Sequence, residues 1–198
     1  IDKLNVNPNK IIVIPNAIDI DSIKKIKPSK EKSDIIYAGR LLDYKNIDVL
    51  IKAMTHLKNR KLIIIGDGPE MQNLKSLTKK LNLTKNVIFK GFVKNHEDVL
   101  SLMKSSKVFV LPSTREGFGI SIIEANARGI PAITINHEDN ASKYLVSEGK
   151  NGYVSELNEK ALAESIKKAL NKRDWETEQY SKEYDWPNVT KKLVGIYR

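Results

Sequence analysis

The stretch "KVFVLPSTREGFGISIIEANARGIPAITIN" (107–136) decides how the rest of the chain is read. Its opening run, "KVFVLP" (107–112), is apolar on consecutive positions, as a strand is when both of its faces are covered. Pro112 ends that run, and "STREGFG" (113–119) has the composition of a loop. "GISIIEANARG" (119–129) then spaces apolar residues by three and four, which predicts a helix with one buried stripe. "PAITIN" (131–136) is again a strand of the buried kind. Two such strands joined through a helix lie parallel, because a hairpin turn cannot make that connection.

The same alternation continues on both sides. "KIIVIP" (10–15), "DIIYAG" (34–39), "KLIIIG" (61–66) and "NVIFKG" (86–91) read as further strands. "NIDVLIKAMTHLK" (46–58), "EMQNLKSLTKKL" (70–81) and "HEDVLSLMKS" (96–105) read as the helices between them. "EKALAESIKKALNK" (159–172) and "DWPNVTKKLVGIY" (185–197) add two helices at the end. No repeat or low-complexity linker interrupts the pattern. The expectation is one α/β domain over 1–198, built on a doubly wound, mostly parallel sheet. In such sheets ligands collect beyond the carboxyl ends of the strands, where helix N-termini present free N–H groups. The loops at 38–46, 66–70, 91–97, 112–119 and 135–140 are therefore where function is sought.

Composition narrows the classes. A chain of 198 residues with 40% hydrophobic content can bury one sizeable core. Lys+Arg 34 against Asp+Glu 24 gives a formal charge of +10. That excess suits an anionic partner, although scattered lysines equally describe a solvated face. There is no cysteine, which excludes disulfides, zinc–thiolate clusters and thiol nucleophiles and fits a cytosolic protein. No apolar run approaches the ~18 residues that would span a bilayer. "IDKLNVNPNK" (1–10) is no signal peptide and lacks an initiator Met, so it reads as an interior segment of a longer protein. His56, His96 and His137 have no ligand-like spacing and read as surface residues. "DID" (19–21) imitates an Asp-x-Asp metal pair, but it sits in a turn ahead of "SIKKIKPSK", and no metal site is expected.

The loops carry the chemistry. Arg40 and Lys45 both follow a strand and can close on one diphosphate, the first as a planar fork and the second as a point charge. Taken alone they are equally an ordinary surface pair. "GDGPE" (66–70) lacks the Lys-Ser/Thr of a Walker loop; Gly66 and Gly68 would let the backbone turn tightly and lie close to a flat ligand. "GFV" (91–93) would leave backbone groups of Phe92 and Val93 to bond a nucleobase. Structural glycine remains the alternative for both loops. Glu116 precedes its helix and Glu124 lies in the second turn. Eight helical steps would separate them by ~12 Å along the axis and ~80° around it, which suits two contacts to an elongated ligand better than an acid/base dyad. The alternative is a pair of acids favoured by the positive end of a helix. Gly117 and Gly119 leave their N–H groups aimed outward. A ligand with hydroxyls at two ends and negative charge between them is a nucleotide sugar.

In this order, "IPNAID" (14–19), "AGRLLDYKN" (38–46), "IIIGDGPE" (63–70), "NVIFKGFV" (86–93), "LPSTREGFGISIIEANARGIPAI" (111–133) and "EGKNGYV" (148–154) resemble the C-terminal half of the retaining GT-B glycosyltransferases, family four (glycosyl transferases group 1). The Glu-x7-Glu segment is the most specific part. The resemblance implies a Rossmann-like, donor-binding half of a GT-B fold. It implies Arg40 and Lys45 on the donor diphosphate, and Glu116 on the transferred sugar, with the amides of Gly117, Phe118 and Gly119. Glu124 would hold the ribose. Gly39, Gly68, Phe92 and Val93 would line the donor site, with Val93 and its neighbours meeting the base through main-chain atoms. No cofactor, no metal and no nucleic-acid partner are implied. The acceptor would enter through a missing N-terminal domain, and the segment 175–198 would cross back onto it, so the fragment alone should transfer nothing. A cytoplasmic location is implied, and the positive charge admits a peripheral position at an anionic membrane. A non-catalytic nucleotide-binding module and a GT-B nucleotide-sugar epimerase are the other readings, though epimerases lack the "EGFG…E" stretch. Two positions depart from the family pattern: Ala17 stands where Gly is common, and Asn140 occupies the slot of a usual acidic residue.

Overall fold

A computed structural model describes residue 7 and residues 10–197. Its strands are β1 (Ile35–Ala38), β2 (Leu62–Ile65), β3 (Val87–Gly91), β4 (Val108–Leu111), β5 (Ala132–Ile135) and β6 (Gly152–Ser155). They form one sheet in the order β3-β2-β1-β4-β5-β6, and every neighbouring pair is parallel. The helices are α1 (Ile20–Lys25), α2 (Ile47–Ala53), α3 (Met71–Lys80), α4 (His96–Lys104), α5 (Ile120–Ala127), α6 (Glu159–Asn171), α7 (Thr177–Ser181) and α8 (Trp186–Ile196). Packing divides them into two sets: α2 meets α3 and α6, while α5 meets α1, α4 and α7. The sheet is thus covered on both sides, which is why its strands carry unbroken apolar runs. All four residues of β2, β4 and β5 are buried. The strand order reverses between β1 and β4, so the loops leaving those two strands diverge and open a crevice at the carboxyl edge.

Two expectations are corrected. Residues 10–15 form no strand: Ile12 and Val13 are 60% and 84% exposed, and no neighbouring strand pairs with them among the described residues. An apolar run becomes a strand only where another backbone meets its hydrogen bonds. The sixth strand instead comes from β6, an edge strand whose Gly and Ser hid it from an apolar-run reading. The Asp-x-Asp of 19–21, read as part of a turn, instead starts a helix. Asp19 caps α1, accepting from the Ser22 amide at 2.9 Å and the Ser22 hydroxyl at 2.6 Å, and Asp21 lies in the first turn.

The end of the chain returns to its start. Ile18 donates its amide to the Tyr184 carbonyl at 2.9 Å and accepts from the Trp186 amide at 3.1 Å. Asp185 Oδ1 also accepts from the Ile20 amide at 3.2 Å. Beyond this stitch α8 buries only Val189; Trp186, Leu193, Val194 and Ile196 stay exposed.

Candidate active site

The crevice is a cavity of about 460 Å³ at the carboxyl edge, a size that suits a small organic ligand. Ala38, Gly39 and Arg40 reach it from the loop after β1, and Ile65, Gly66 and Asp67 from the loop after β2. Phe92, Val93, His96 and Val99 come from the loop after β3 and from α4, while Ser121 and Glu124 come from α5. Five residues expected at the site therefore share one wall-to-wall space: Gly39, Arg40, Phe92, Val93 and Glu124.

Arg40 is exposed, and its guanidinium makes no ion pair among the described residues. Its turn is fixed from beneath by Tyr37, a fully buried residue of β1 whose hydroxyl donates to the Arg40 carbonyl at 2.8 Å. Burial pushes the Tyr37 phenol well up, and the nearby Glu116 and Tyr44 push it further, so it stays protonated and keeps that bond. A free cation thus stands on a rigid stem at the mouth of the cavity.

Lys45 and Glu116 meet each other instead. Lys45 Nζ lies 2.6 Å from Glu116 Oε1, and both side chains are 14% exposed. Two sets of contacts bring them there. Lys45 ends a 3-10 turn (Asp43–Lys45), and Asn46 follows it in the left-handed region, φ 50°. From there Asn46 Nδ2 donates to the Pro112 carbonyl at 3.2 Å and to Thr114 Oγ1 at 3.3 Å, which ties the turn to the loop after β4. On the other flank, the Glu116 amide donates to the Asp139 carbonyl at 3.2 Å, and the Ala141 amide donates to the Glu116 carbonyl at 2.9 Å. The segment 139–141 is itself pinned by Asn140. Fully buried, Asn140 donates to Thr134 Oγ1 at 3.0 Å and the Ile135 carbonyl at 2.7 Å, and accepts from the Ser142 amide at 3.1 Å. An amide at this position holds the loop that carries Glu116.

Among the described residues the amides of Gly117, Phe118 and Gly119 donate to no acceptor. The Phe118 ring, however, turns away to pack edge-on against Tyr184, with centroids 5.9 Å apart. Gly119 has φ +100°, and a Cβ there would lie 2.5 Å from Ser142 Cβ, so the entry to α5 admits no other residue without strain. Gly68 does not line the cavity. A Cβ on it would stand 2.3 Å from the Leu41 carbonyl oxygen, so its close approach is to the chain's own adjacent loop and not to a ligand.

His96 is the residue the sequence missed. It begins α4, lines the cavity and places Nε2 at 2.8 Å from Glu124 Oε1. Its hydrogen bond with Glu124 raises its pKa; burial opposes that shift, and the Glu124 charge adds to it. A helix-start position beside the 91–97 loop was the available signal. No group of three metal-ligating side chains occurs among the described residues, and none of their helices is long and apolar enough to cross a membrane.

The chain is similar to known proteins in sequence and in fold. A galactosyltransferase of Escherichia coli, the UDP-Gal:alpha-D-GlcNAc-diphosphoundecaprenol alpha-1,3-galactosyltransferase, is 33% identical over 180 residues, covering 80% of this chain and 44% of the relative. An uncharacterized glycosyltransferase of Methanocaldococcus jannaschii is 29% identical over 219 residues, covering 98% of this chain and 55% of the relative. The chain thus spans about half the length of the curated relatives it matches. Among solved structures, Anabaena HepE in complex with UDP and glucose superposes with a TM-score of 0.85 at 21% identity, over 99% of this chain and 59% of that one. A lipopolysaccharide outer core galactosyltransferase, WaaB, superposes with a TM-score of 0.78 at 18% identity, over 98% of this chain and 57% of that one. Residues 19–185 match the family model described as Glycosyl transferases group 1. The chain therefore belongs to the glycosyl transferases group 1 family, and its fold is that of the C-terminal domain of a GT-B glycosyltransferase.

Proposed function

We propose that this chain is the donor-binding half of a retaining, metal-independent hexosyltransferase that uses a nucleoside diphosphate sugar. The observation that carries the reading is the pairing of an unengaged cation, Arg40, with a half-free carboxylate, Glu124, across one cavity, next to the Lys45–Glu116 pair. Phe92 and Val93 would receive the base, Glu124 the ribose, and Arg40 with Lys45 the diphosphate. Glu116 and the amides of Gly117, Phe118 and Gly119 would hold the transferred sugar. Arg40 and Lys45 supply the positive charge that the departing diphosphate needs, the task a metal performs elsewhere. The acceptor hydroxyl would attack from the face the diphosphate leaves, with Glu116 bonded to sugar hydroxyls and not acting as a nucleophile. The UDP and glucose bound by HepE and the UDP-Gal in the name of the E. coli relative support a nucleotide-sugar donor.

A second domain would carry the acceptor and cover the apolar face of α8, so this chain alone would bind donor without transferring it. With a formal charge of +10, a peripheral seat on an anionic membrane fits the same reading. The first test is thermal melting with UDP, GDP and ADP, separately. A bound nucleotide at a hundredfold excess over Kd stabilises the fold by about 2.7 kcal/mol. No shift with any of the three would overturn the reading, and inversion at the anomeric carbon of the product would overturn the retaining mechanism.

A further inference from the structure

Glu124 is a carboxylate with its two oxygens in different circumstances. Oε1 is held at 2.8 Å by His96 Nε2, while Oε2 has no hydrogen-bond partner among the described residues. The Glu124 side chain is 11% exposed and the imidazole 63% exposed, so the acid lies at the cavity wall and the histidine lies over it. The two come from different helices, twenty-eight positions apart in sequence, and meet only through the fold. The helix start that carries His96 is capped: the preceding residue, Asn95, accepts from the Glu97 amide at 3.1 Å. Phe92 and Val93 line the same cavity from the preceding loop.

A carboxylate's terminal torsion is broad and close to two-fold, so an unheld Glu124 would present either oxygen to the cavity in many orientations. One bond to a donor on a capped helix start narrows that freedom before a ligand arrives. We propose that His96 is a positioning residue for the nucleoside: it holds Oε1 of Glu124 so that Oε2 is aimed at the hydroxyls of a ribose. The upward shift of the His96 pKa favours the imidazolium, which has an N–H on both nitrogens and so donates to Glu124 whatever the tautomer of the neutral ring. This inference rests on the donor-site reading above, and the experiment separates the two.

The full chain is titrated calorimetrically with UDP and with 2′,3′-dideoxy-UDP, or with the equivalent pair of whichever base the melting series selects. Wild type, His96→Phe and His96→Gln are compared, with melting curves to check that each is folded. A ribose diol bonded to a charged carboxylate predicts that wild type prefers the ribonucleotide by about tenfold or more. In His96→Phe that preference should shrink by about threefold or more. The affinity for the dideoxy ligand should meanwhile stay within about twofold. His96→Gln, which can still donate from its terminal amide, should recover most of the preference. An unchanged ratio in His96→Phe overturns the inference and leaves the donor site standing. Equal weakening of both ligands also overturns it, because that pattern belongs to a structural or base-contacting histidine. Binding of no nucleoside diphosphate by wild type overturns the donor site and the inference together.

Discussion

Lys45 and Glu116 neutralise each other as a mostly buried pair, and this contact shapes what substitution at either should do. A diphosphate that takes Lys45 must do so in competition with Glu116. Glu116→Gln removes the competitor's charge, so nucleoside diphosphate affinity should rise by about threefold even as turnover falls. Lys45→Ala should lower turnover by roughly 10²–10³-fold, the cost of one contact to a leaving group that gains charge. It should also lower stability by about 1–3 kcal/mol, because Glu116 is then left half-buried without its partner. Kd from calorimetry and kcat on the longer protein distinguish these outcomes. Tyr37→Phe tests the stem under Arg40. Losing the bond to the Arg40 carbonyl should cost about 1 kcal/mol in a urea melt and weaken nucleotide binding as well. At this scale the meeting of Arg40 and Glu124 at one cavity was legible, because each sits in a loop or first turns beyond a strand, whereas the pairing of Lys45 with Glu116 was not. Tyr37 was not, because "DIIYAG" reads as a buried apolar strand and gives no sign that its one hydroxyl points at the next turn. His96 was not, because its partner is supplied by another helix.

Among the elements, the packed ends of the central strands offer the clearest pH test. Asp34 precedes β1 and meets Lys107 at 2.9 Å and Arg60 at 3.1 Å, with the Lys61 amide at 3.0 Å. Burial pushes its carboxyl upward, but the bonds from Lys107 and Lys61 and the charges of Lys107 and Arg60 outweigh burial, so its pKa is lowered. A lowered folded pKa means the stabilisation is present above the ordinary carboxylate value of about 4 and is lost as pH falls through the folded pKa. The urea midpoint should therefore drop on acidification below about pH 4, and Asp34→Asn should flatten that part of the curve. Gly119→Ala tests the entry to α5: the positive φ and the contact with Ser142 predict a loss of about 1–3 kcal/mol. Helices α2, α3, α4 and α6 were readable from apolar spacing, since each buries a single stripe; α5 departs from that expectation and buries every residue from Ile122 to Ala127, because it is packed against several neighbours. The edge strand β6 was not, because Gly152 and Ser155 give it no apolar run. The run at 10–15 misled for the converse reason: apolar residues show what could be buried, not what is there to bury it.

For the molecule as a whole, the parallel α/β class followed from alternation, while the strand order and the partnering of α8 did not. Its Leu193 and Val194 are 41% and 44% exposed, so replacing both with Ser should change the stability of this chain by less than about 0.5 kcal/mol each. The same double substitution should lower transfer by the longer protein if another domain covers that face. A loss of more than about 2 kcal/mol in this chain would show instead that the face is packed within the domain. The backbone of Ile18 is gripped between Tyr184 and Trp186, so the stretches entering and leaving the sheet pass through a single doorway. If the proposed second domain is joined through both, it would hang from that one point on the rim, and its movement would leave the sheet beneath undisturbed.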